Sequence, residues 1–383
     1  MKIVVAADSF KGSLTSAELA DAVETGVRAV YPQSEVIKVP VADGGEGTVQ
    51  ALVDGTGGLY RTVNVRDPLG KTITALYGIT GDGKTAVLEM ASASGLPLLT
   101  ADERNPMKTS TYGTGELIKD ALEKGCREFL IGIGGSATND CGMGMMEALG
   151  MKFLDSSGKE LSGCGENLIR TESIDDSGLI PGLKEADFLI ACDVDNPLFG
   201  QNGAAHVYSR QKGADEQMVL ELDKGLVHFN EVVKEKYGFP MNELSGAGAA
   251  GGLGGGFAAF LGGRLKPGID IILTMTDLSS KMDGADFVIT GEGRIDFQSV
   301  MGKTPTGVSR LAAEKKIPVI AIAGAVADNA GIVHEHGINA LFSIMNHPIT
   351  LDEAMEPEKA RFFVEKNIEE IFRLIKTCEN KFS

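Results

Sequence analysis

The same alternation of buried strand and helix occurs at both ends of this chain, and it limits the fold more than any other feature. Residues 2–7 (KIVVAA) are a continuous apolar run, which is typical of a parallel strand buried on both faces. Helical spacing follows from Ser13 to Val30, and a second strand is predicted from Glu35 to Val39. The pattern returns late in the chain, with strands predicted at 285–290, 318–323 and 340–344 and helices at 304–315, 328–336 and about 356–377. Both chain ends therefore contribute to one doubly wound parallel α/β sheet.

The middle of the chain follows a different pattern. From residue 60 to 90 three extended segments are separated by DPLG and GDGK, which are turn signals of an antiparallel meander. Buried strands are then predicted at 128–133 and 187–192. We therefore predict two α/β domains, one formed by residues 1–57 and 268–383 and a mixed α/β domain, residues 58–267, inserted into it.

Charge and composition exclude several classes of partner. The formal net charge of −17 disfavours nucleic acid and anionic membranes, which would be repelled. The apolar run at the N-terminus is too short for a signal sequence and no apolar segment of about 18 residues occurs, so we expect a cytoplasmic protein. The five cysteines show no metal-ligand spacing and are expected to be reduced, buried and structural.

Two polar motifs follow the first two predicted strands. ADSFKGSLTS places Asp8, Ser9 and Lys11 at a strand end, where open α/β sheets bind ligands. Helix capping by Ser13 or Thr15 would explain the hydroxyls but not Asp8 and Lys11. In VADGGEGT, Asp43, Gly44 and Gly45 are the binding candidates, and the alternative is a structural turn in which Glu46 caps the next helix.

A third motif, IGIGGSATND, follows the strand predicted at 128–133. Its binding candidates are Gly134, Gly135, Ser136, Thr138 and Asn139, whose hydroxyl and amide groups suit a phosphate or a hydroxy acid. A plain helix-entry turn is one alternative. Another is a dinucleotide site, because Gly132, Gly134 and Ala137 fit the spacing GxGxxA and Asp155 follows at about the expected distance.

The fourth and fifth motifs contain paired acids and glycines. In ACDVDNPLFG, Asp193 and Asp195 stand two apart at a strand end, which suits a divalent metal or a general base, and Asn196 begins a turn in the alternative interpretation. The stretch 245–256 is predicted as a glycine-rich loop, either beside a ligand or closely packed.

The sixth motif, VITGEGRIDFQSVMGKTP, contains several charged residues directly after a predicted buried strand. We predict that the strand ends near Thr290, that flexible backbone then exposes amide donors, and that Lys303 stands at a helix start, where phosphate is favoured. Acidic residues here would repel phosphate unless Mg²⁺ bridges them or one serves as a base. The alternative is a solvated charged loop. The site candidates are Gly291, Glu292, Arg294, Asp296, Ser299 and Lys303.

The six motifs, in this order, resemble the bacterial glycerate kinase type I family, and the resemblance covers essentially the entire sequence. It implies a flavodoxin-like domain carrying an inserted second domain, and ATP-dependent phosphorylation of D-glycerate in glycerate and sugar-acid catabolism. It also implies Mg²⁺ as cofactor. We favour 2-phosphoglycerate over 3-phosphoglycerate as the product, and a homodimer is compatible with the sequence.

The resemblance suggests roles for the motif residues. Lys303 and Lys11 would balance phosphate charge, while Asp193 or Asp296 would orient or deprotonate the substrate hydroxyl. Asp195 or Asp43 would help to place Mg²⁺, and Arg294 and Ser136 would receive the glycerate carboxylate. Three other functions remain open at this point: a kinase for another small hydroxy acid, a non-catalytic small-anion-binding regulator, and an NAD-linked dehydrogenase.

Overall fold

The computed structural model describes residues 1–45, 47–300 and 302–382, and it is a mixed α/β structure. Its strands are β1 (Lys2–Val5), β2 (Glu35–Lys38), β3 (Leu59–Arg66), β4 (Thr72–Ile79), β5 (Thr85–Glu89), β6 (Glu128–Gly132), β7 (Lys152–Leu154), β8 (Glu160–Leu161), β9 (Ser173–Asp175), β10 (Asp187–Ala191), β11 (Arg264–Lys266), β12 (Phe287–Ile295), β13 (Val319–Val326) and β14 (Ala340–Ser343). Its α-helices are α1 (Ser16–Val30), α2 (Thr48–Thr56), α3 (Ala91–Ser94), α4 (Tyr112–Glu123), α5 (Met143–Ala148), α6 (Ala204–Tyr208), α7 (Glu216–Tyr237), α8 (Ala249–Leu261), α9 (Gly268–Met275), α10 (Leu278–Lys281), α11 (Thr304–Glu314), α12 (Leu351–Met355) and α13 (Pro357–Phe382).

The chain separates into two compact units. Unit 1 consists of Met1–Asp43, Gln50–Gly55 and Ile269–Ser383, and unit 2 consists of Gly44–Val49 and Thr56–Gly268. The domain limits predicted from the sequence, with a change of domain near residues 58 and 267, stay a prediction.

Unit 1 contains a parallel sheet of the flavodoxin type. The strand order is β14-β13-β12-β1-β2, and every pairing is parallel. Chain order therefore reverses between β1 and β12, which makes that position the topological switch point of the sheet. Ile3, Val4 and Val5 are all fully buried, so both faces of β1 are covered.

Helices α1 and α13 pack closely on one face of this sheet. A side chain at Gly26 would meet the backbone of Glu365 and the side chain of Ile368, so the close approach depends on this glycine. Helix α1 begins with a capping box, in which Thr15 accepts the backbone N–H of Glu18 at 3.2 Å. Of the two capping residues predicted, Thr15 is the one that caps.

The first half of the sixth motif, as far as Ile295, lies on a strand, which corrects the flexible backbone predicted after Thr290. Strand β12 continues through Ile295, because β13 runs beside it to Val326 and Glu292 pairs with Ala323 and Arg294 with Ala325. A side chain at Gly291 would overlap the carbonyl oxygen of Ile322, so glycine is required for the pairing and does not end the strand. The helix predicted at 328–336 is also different, since Ala330–His336 is a 3₁₀-helix.

Unit 2 contains a mixed sheet. Its order is β11-β10-β6-β5-β4-β3, in which β5, β6, β10 and β11 are parallel and the predicted meander supplies the antiparallel pairs at the other side. A small antiparallel sheet is formed separately by β7, β8 and β9. Strands β6 and β10 pair directly, and in the core between them the rings of Phe129 and Phe188 stack with their centroids 4.8 Å apart.

The predicted glycine-rich loop is mostly helical. Residues from Ala249 onward belong to α8, which has non-helical backbone angles at Ala250, Gly251 and Gly252. Side chains at Gly251 and Gly256 would overlap the backbone carbonyls of Thr138 and Cys141. The glycines therefore bring α8 against the third motif, and close packing is their structural role.

Two further expectations concern the surface. Among the described residues, no helix has both the length and the low charge needed to cross a lipid bilayer. Cys126, Cys141 and Cys164 are buried as expected, whereas Cys192 is half-buried and Cys378 is exposed on the last turns of α13. The expectation of burial was wrong for Cys378 because its position on the final helix faces solvent.

Candidate functional site

A cavity of about 710 Å³ lies at the carboxyl edge of the unit 1 sheet. Its polar lining comes from the segments that follow β1 and β2 and from β12 and the start of α11, which places it at the topological switch point. The polar side chains at this edge of the cavity are Asp8, Ser9, Lys11, Ser13, Asp43, Glu292, Arg294 and Lys303, and the segment after β14 adds His347 and Thr350. The first, second and sixth motifs thus supply one continuous site within unit 1.

Asp8 is the most perturbed carboxyl group in this cavity. Its side chain is buried, and its carboxylate accepts hydrogen bonds from the backbone N–H of Ser9 at 2.7 Å and from the Ser9 hydroxyl at 3.3 Å. Burial, with added repulsion from Asp43 and Glu292, raises the pKa of Asp8 to about 7. Ser9 therefore orients a carboxylate that can exchange a proton near neutral pH.

Glu292 and Lys303 form the second group of charges. Ser299 donates to Glu292 Oε1 at 2.5 Å, and Lys303 Nζ lies 3.5 Å from Glu292 Oε2. Burial raises the pKa of Glu292, and both partners oppose that shift. Lys303 is also the N-cap residue of α11, as the sequence predicted. An ammonium group is thus placed at a helix N-terminus, where phosphate is favoured.

Two further ion pairs complete the polar end. Lys11 Nζ lies 3.8 Å from Asp43, and Arg294 Nε lies 3.6 Å from Asp296. Asp296 and Ser299 do not line the cavity; Ser299 accepts the backbone N–H of Asp296 at 3.2 Å and so supports the strand end from outside. Lys11 and Arg294 have exposed side chains that can turn toward a ligand.

The other end of the cavity is apolar, and the sequence analysis did not find it. It is lined by Phe10, Ile344, Met345, Pro348, Ile349, Leu351, Ala354 and Met355. Most of these follow β14, at the same edge of the sheet as the other motifs. A signal existed, because any loop at the carboxyl end of a parallel strand is a candidate, but the segment after Ile344 contains little charge to draw attention.

In unit 2 the third and fourth motifs meet at the carboxyl ends of two neighbouring strands. Gly132 at the end of β6 pairs with Ala191 at the end of β10. A side chain at Gly44 would lie against Ala191 and Gly268, and one at Gly132 would meet the Gly44 carbonyl. Gly45 accepts the backbone N–H of Thr48 at 3.3 Å. The turn of the second motif, apart from Glu46, which lies outside the described residues, packs on these strand ends.

The fourth motif uses its polar side chains partly for structure. Asp193 accepts the backbone N–H of Gly268 at 2.9 Å, at the start of α9, and Asp195 is exposed. Asn196 donates to the carbonyl of Asn202 at 2.9 Å and accepts the Tyr208 hydroxyl at 2.5 Å. The amide of Asn196 therefore holds its own loop together.

The third motif covers a buried lysine that the sequence analysis missed. Lys212 is 1% exposed, and its ammonium group donates to the Ser136 hydroxyl oxygen at 2.7 Å and to the Thr138 carbonyl at 2.6 Å. Burial lowers the pKa of Lys212 to about 7, although Asp140 opposes the shift. In the sequence, RQKGAD gives no signal of burial, since lysine is almost never fully buried.

Thr138 and Asn139 are also fully buried. Among the described residues, Thr138 Oγ1 and both polar side-chain atoms of Asn139 have no hydrogen-bond partner. Gly134 and Gly135, in contrast, are exposed. The loop therefore exposes only its two glycines, whereas Ser136 is 7% exposed and Thr138 and Asn139 lie beneath the surface.

The dinucleotide interpretation of this motif does not fit the structure. Asp155 stands in the turn between β7 and β8, where it accepts two bonds from Ser157 and the N–H of Lys159. Strand β7 pairs only within the small antiparallel sheet. An acidic residue that reads a ribose should end the neighbouring parallel strand, so the GxGxxA spacing is coincidental.

The predicted metal site can be compared with the donor set. Across residues 1–45, 47–300 and 302–382, no three His, Cys, Asp or Glu side chains come together at metal-binding distance. Mg²⁺ in kinase sites usually takes one or two carboxylates, waters and substrate phosphates. Asp8 and Asp43 line one cavity and repel each other, so this donor set fits Mg²⁺ of that kind.

A flavodoxin-type sheet with a charged cavity at its switch point is the arrangement of an α/β enzyme that binds a small ligand at that edge. The profile of the glycerate kinase family matches residues 3–376. The chain belongs to the glycerate kinase family.

Individual relatives agree with this assignment. A protein named glycerate 2-kinase from Escherichia coli K12 is 51% identical over 354 residues, covering 92% of this chain and 93% of the relative. A glycerate kinase from Bacillus subtilis 168 is 48% identical over 382 residues, covering 100% of both chains. A crystal structure from Salmonella typhimurium LT2, provisionally assigned as glycerate kinase 2, superposes with a TM-score of 0.92 at 42% identity and covers 99% of each chain.

Proposed function

We propose that this protein is a glycerate kinase that transfers the γ-phosphoryl group of ATP to D-glycerate. As a member of its family it is an ATP-dependent phosphotransferase with an alcohol acceptor. The observation that carries the proposal is the unit 1 cavity, where Asp8, Lys11 and Lys303 line one space at the switch point of a flavodoxin-type sheet. Phosphoryl transfer requires that the reactants are positioned and that phosphate charge is neutralised, and these side chains can do both.

The same cavity is the proposed nucleotide site. Its apolar end, lined by Ile344, Pro348 and Ile349, suits a purine ring, whereas glycerate has no apolar group to bury there. Lys303 at the start of α11 and Lys11 would then contact the phosphates. In this placement the purine ring occupies the apolar end of the cavity and the phosphates occupy the charged end.

The proposed chemistry is an in-line displacement. A glycerate hydroxyl oxygen forms a bond to the γ-phosphorus, the bond from that phosphorus to the β,γ-bridging oxygen breaks, and ADP leaves. The hydroxyl proton passes to a carboxylate. Asp8 is our first candidate, because its buried carboxylate lines the cavity and burial is the largest cause of its raised pKa. Asp193 and Asp296, the candidates from the sequence, stay proposals, although Asp296 faces Arg294 and lies outside the cavity lining.

Mg²⁺ is part of the proposal. Asp43 would hold it, together with phosphate oxygens and water, and Asp195 stays an alternative ligand. When bound, the ion neutralises charge that develops on the phosphoryl oxygens. Arg294 lines the cavity, and its exposed side chain can exchange its pairing with Asp296 for the substrate carboxylate, as the sequence suggested.

For the product we propose 2-phosphoglycerate. The support is the E. coli relative, whose name specifies the 2-position and which is 51% identical to this chain. The corresponding role is phosphorylation of glycerate in glycerate and sugar-acid catabolism. Assembly as a homodimer stays a prediction.

Phosphorus NMR of the product tests the proposal. The protein is incubated with Mg-ATP and D-glycerate, and L-glycerate serves as the matched control. The expected result is the resonance of 2-phosphoglycerate with D-glycerate alone. A 3-phosphoglycerate resonance would keep the activity and overturn the position. Unchanged ATP with D-glycerate, but turnover with another hydroxy acid, would replace the substrate.

A further inference from the structure

Lys212 is a buried lysine with no carboxylate at ion-pair distance among the described residues, and Asp140 favours its ammonium form only from farther away. Within the part of the chain that the structure describes, its ammonium group donates to two neutral acceptors, the Ser136 hydroxyl and the Thr138 carbonyl, and no carboxylate oxygen lies within ion-pair distance. A buried ammonium group normally requires a paired anion, because desolvation disfavours its charge. The position therefore indicates that the charge serves a ligand.

The bond from Lys212 also fixes what Ser136 can do. Since the hydroxyl oxygen accepts from the ammonium group, its own proton is available for donation in another direction. The neighbouring positive charge polarises the hydroxyl and makes it a stronger donor. Ser136 keeps 7% of its surface exposed, so a ligand can reach it. Its partner must be an acceptor, and an anion is favoured.

The backbone next to Ser136 also favours an anionic hydrogen-bond acceptor. Among the described residues, the N–H groups of Gly134, Gly135 and Ser136 donate to no protein acceptor. Gly135 has a φ of 74°, and a left-handed residue within a run of unengaged N–H groups is typical of anion-binding concavities. The loop is held in place from behind: Leu96 donates to the Gly135 carbonyl at 2.8 Å, and Ala137 donates to that of Ser94 at 3.0 Å.

We propose that the loop from Gly134 to Ser136, charged from beneath by Lys212, is an oxyanion-binding site of unit 2. It takes a substrate carboxylate or a nucleotide phosphate through the loop N–H groups and the Ser136 hydroxyl. Lys212 is a positioning residue, since it acts through Ser136. The inference rests on the proposed function for the identity of the anion, but the site itself does not depend on turnover.

Three variants test this site. Ser136→Ala removes the hydroxyl, and Lys212→Met removes the charge at similar volume. Gly134→Ala adds a methyl group where no protein atom lies within 4 Å, so it obstructs the ligand without disturbing packing. Gly331→Ala is the matched control, because a side chain there also meets nothing within 4 Å, in unit 1.

Steady-state kinetics assign the anion. The expected result is an increase of roughly tenfold or more in KM for one substrate in all three variants, because each variant weakens the hydrogen bonding of the loop to a charged group. The Ser136→Ala/Lys212→Met double variant should show little further loss. A rise in KM for D-glycerate assigns the carboxylate, and a rise for Mg-ATP assigns a phosphate. KM should not change in Gly331→Ala.

Thermal stabilisation by D-glycerate, and separately by Mg-ATP, measures binding without turnover. If the wild-type protein is stabilised by one of these ligands and the variants are not, the site is supported even if no phosphoglycerate forms, so failure of the proposed function remains distinguishable. Unchanged KM values and unchanged stabilisation in Ser136→Ala and Gly134→Ala would overturn the inference. These two variants decide the matter if Lys212→Met does not fold.

Discussion

The cationic side chains in the cavity of unit 1 and at the loop site of unit 2 differ in their exposure to solvent and in their hydrogen-bond and ion-pair partners. In unit 1 the cations Lys11, Lys303 and Arg294 keep partly exposed side chains and have carboxylates within 4 Å. In unit 2 the cation is buried and contacts only neutral oxygens among the described residues. Exposed pairs can exchange partners at small cost, whereas a buried charge is fixed. The first arrangement suits a site that binds and releases a highly charged ligand, and the second suits fixed orientation of one anionic group.

The largest effect is expected for the unit 1 carboxylate with the raised pKa. Asp8→Asn should lower kcat by roughly 10²–10⁴, the contribution of a general base. In the folded wild-type protein Asp8 binds its proton up to about pH 7, while in the unfolded chain it releases it near pH 4. Stability of the wild-type protein therefore falls as pH rises from about 4 to 7.

The variant should lack that decline and be the more stable protein at pH 8, by an amount on the order of a few kcal/mol. Initial rates and urea denaturation at pH 5 and pH 8 measure both effects. Asp328→Asn, at an exposed position in the same unit, is the control. Retention of full kcat by Asp8→Asn would remove Asp8 as the base and leave Asp193 and Asp296.

The second-largest effect, a loss of stability, is expected for Asp140, a buried carboxylate near the loop site of unit 2. Asp140 is fully buried and accepts the N–H and hydroxyl of Thr111 at 2.8 and 2.7 Å and the N–H groups of Gly142 and Gly144 at 3.2 Å. Asp140→Asn turns an amide N–H₂ toward donors, which should cost about 2–3 kcal/mol of unfolding free energy.

Denaturant unfolding measures that loss. Asp155→Asn is a matched comparison, because Asp155 also accepts three protein donors, but in a surface turn where water can replace them. If Asp140→Asn and Asp155→Asn lost the same unfolding free energy, burial would not be what makes the hydrogen bonds of Asp140 important for stability.

A smaller effect is expected from the strand that carries Glu292. Gly291→Ala places a methyl group against the Ile322 carbonyl, and we expect a loss of about 1–3 kcal/mol in stability. Gly293→Ala, two residues further on, meets no atom closer than 3.6 Å and should leave stability within about 0.5 kcal/mol. Thermal unfolding distinguishes them, and equal melting temperatures would contradict the continuous β12–β13 pairing.

The smallest effect is expected for the exposed pair at the mouth of unit 1. Lys11→Met removes an ion pair of 3.8 Å whose lysine side chain is 56% exposed, so stability should change by less than about 1 kcal/mol. KM for Mg-ATP should nevertheless rise. A large loss of stability would mean that this charge is fixed like those of unit 2.

Much of the fold could be predicted from local patterns, because buried strands and amphipathic helices have a period that is visible in one sequence. The sequence predicts that strand β12 ends near Thr290 with flexible backbone after it, whereas Gly291 permits close strand pairing and the strand continues. Lys212 could not be found, because it contacts Ser136 across 76 residues of chain and nothing local distinguishes it from a surface lysine. The apolar half of the unit 1 cavity was missed for a similar reason, as its residues follow β14 without a polar motif.

Calorimetric titration with the Mg²⁺ complex of a non-hydrolysable ATP analogue tests the central claim most directly. The titration compares the wild-type protein with Lys303→Met and with Lys224→Met, an exposed lysine on α7 in unit 2. A nucleotide in the unit 1 cavity predicts that Kd rises roughly tenfold or more in Lys303→Met and does not change in Lys224→Met. An unchanged Kd in Lys303→Met would contradict the placement of ATP in that cavity.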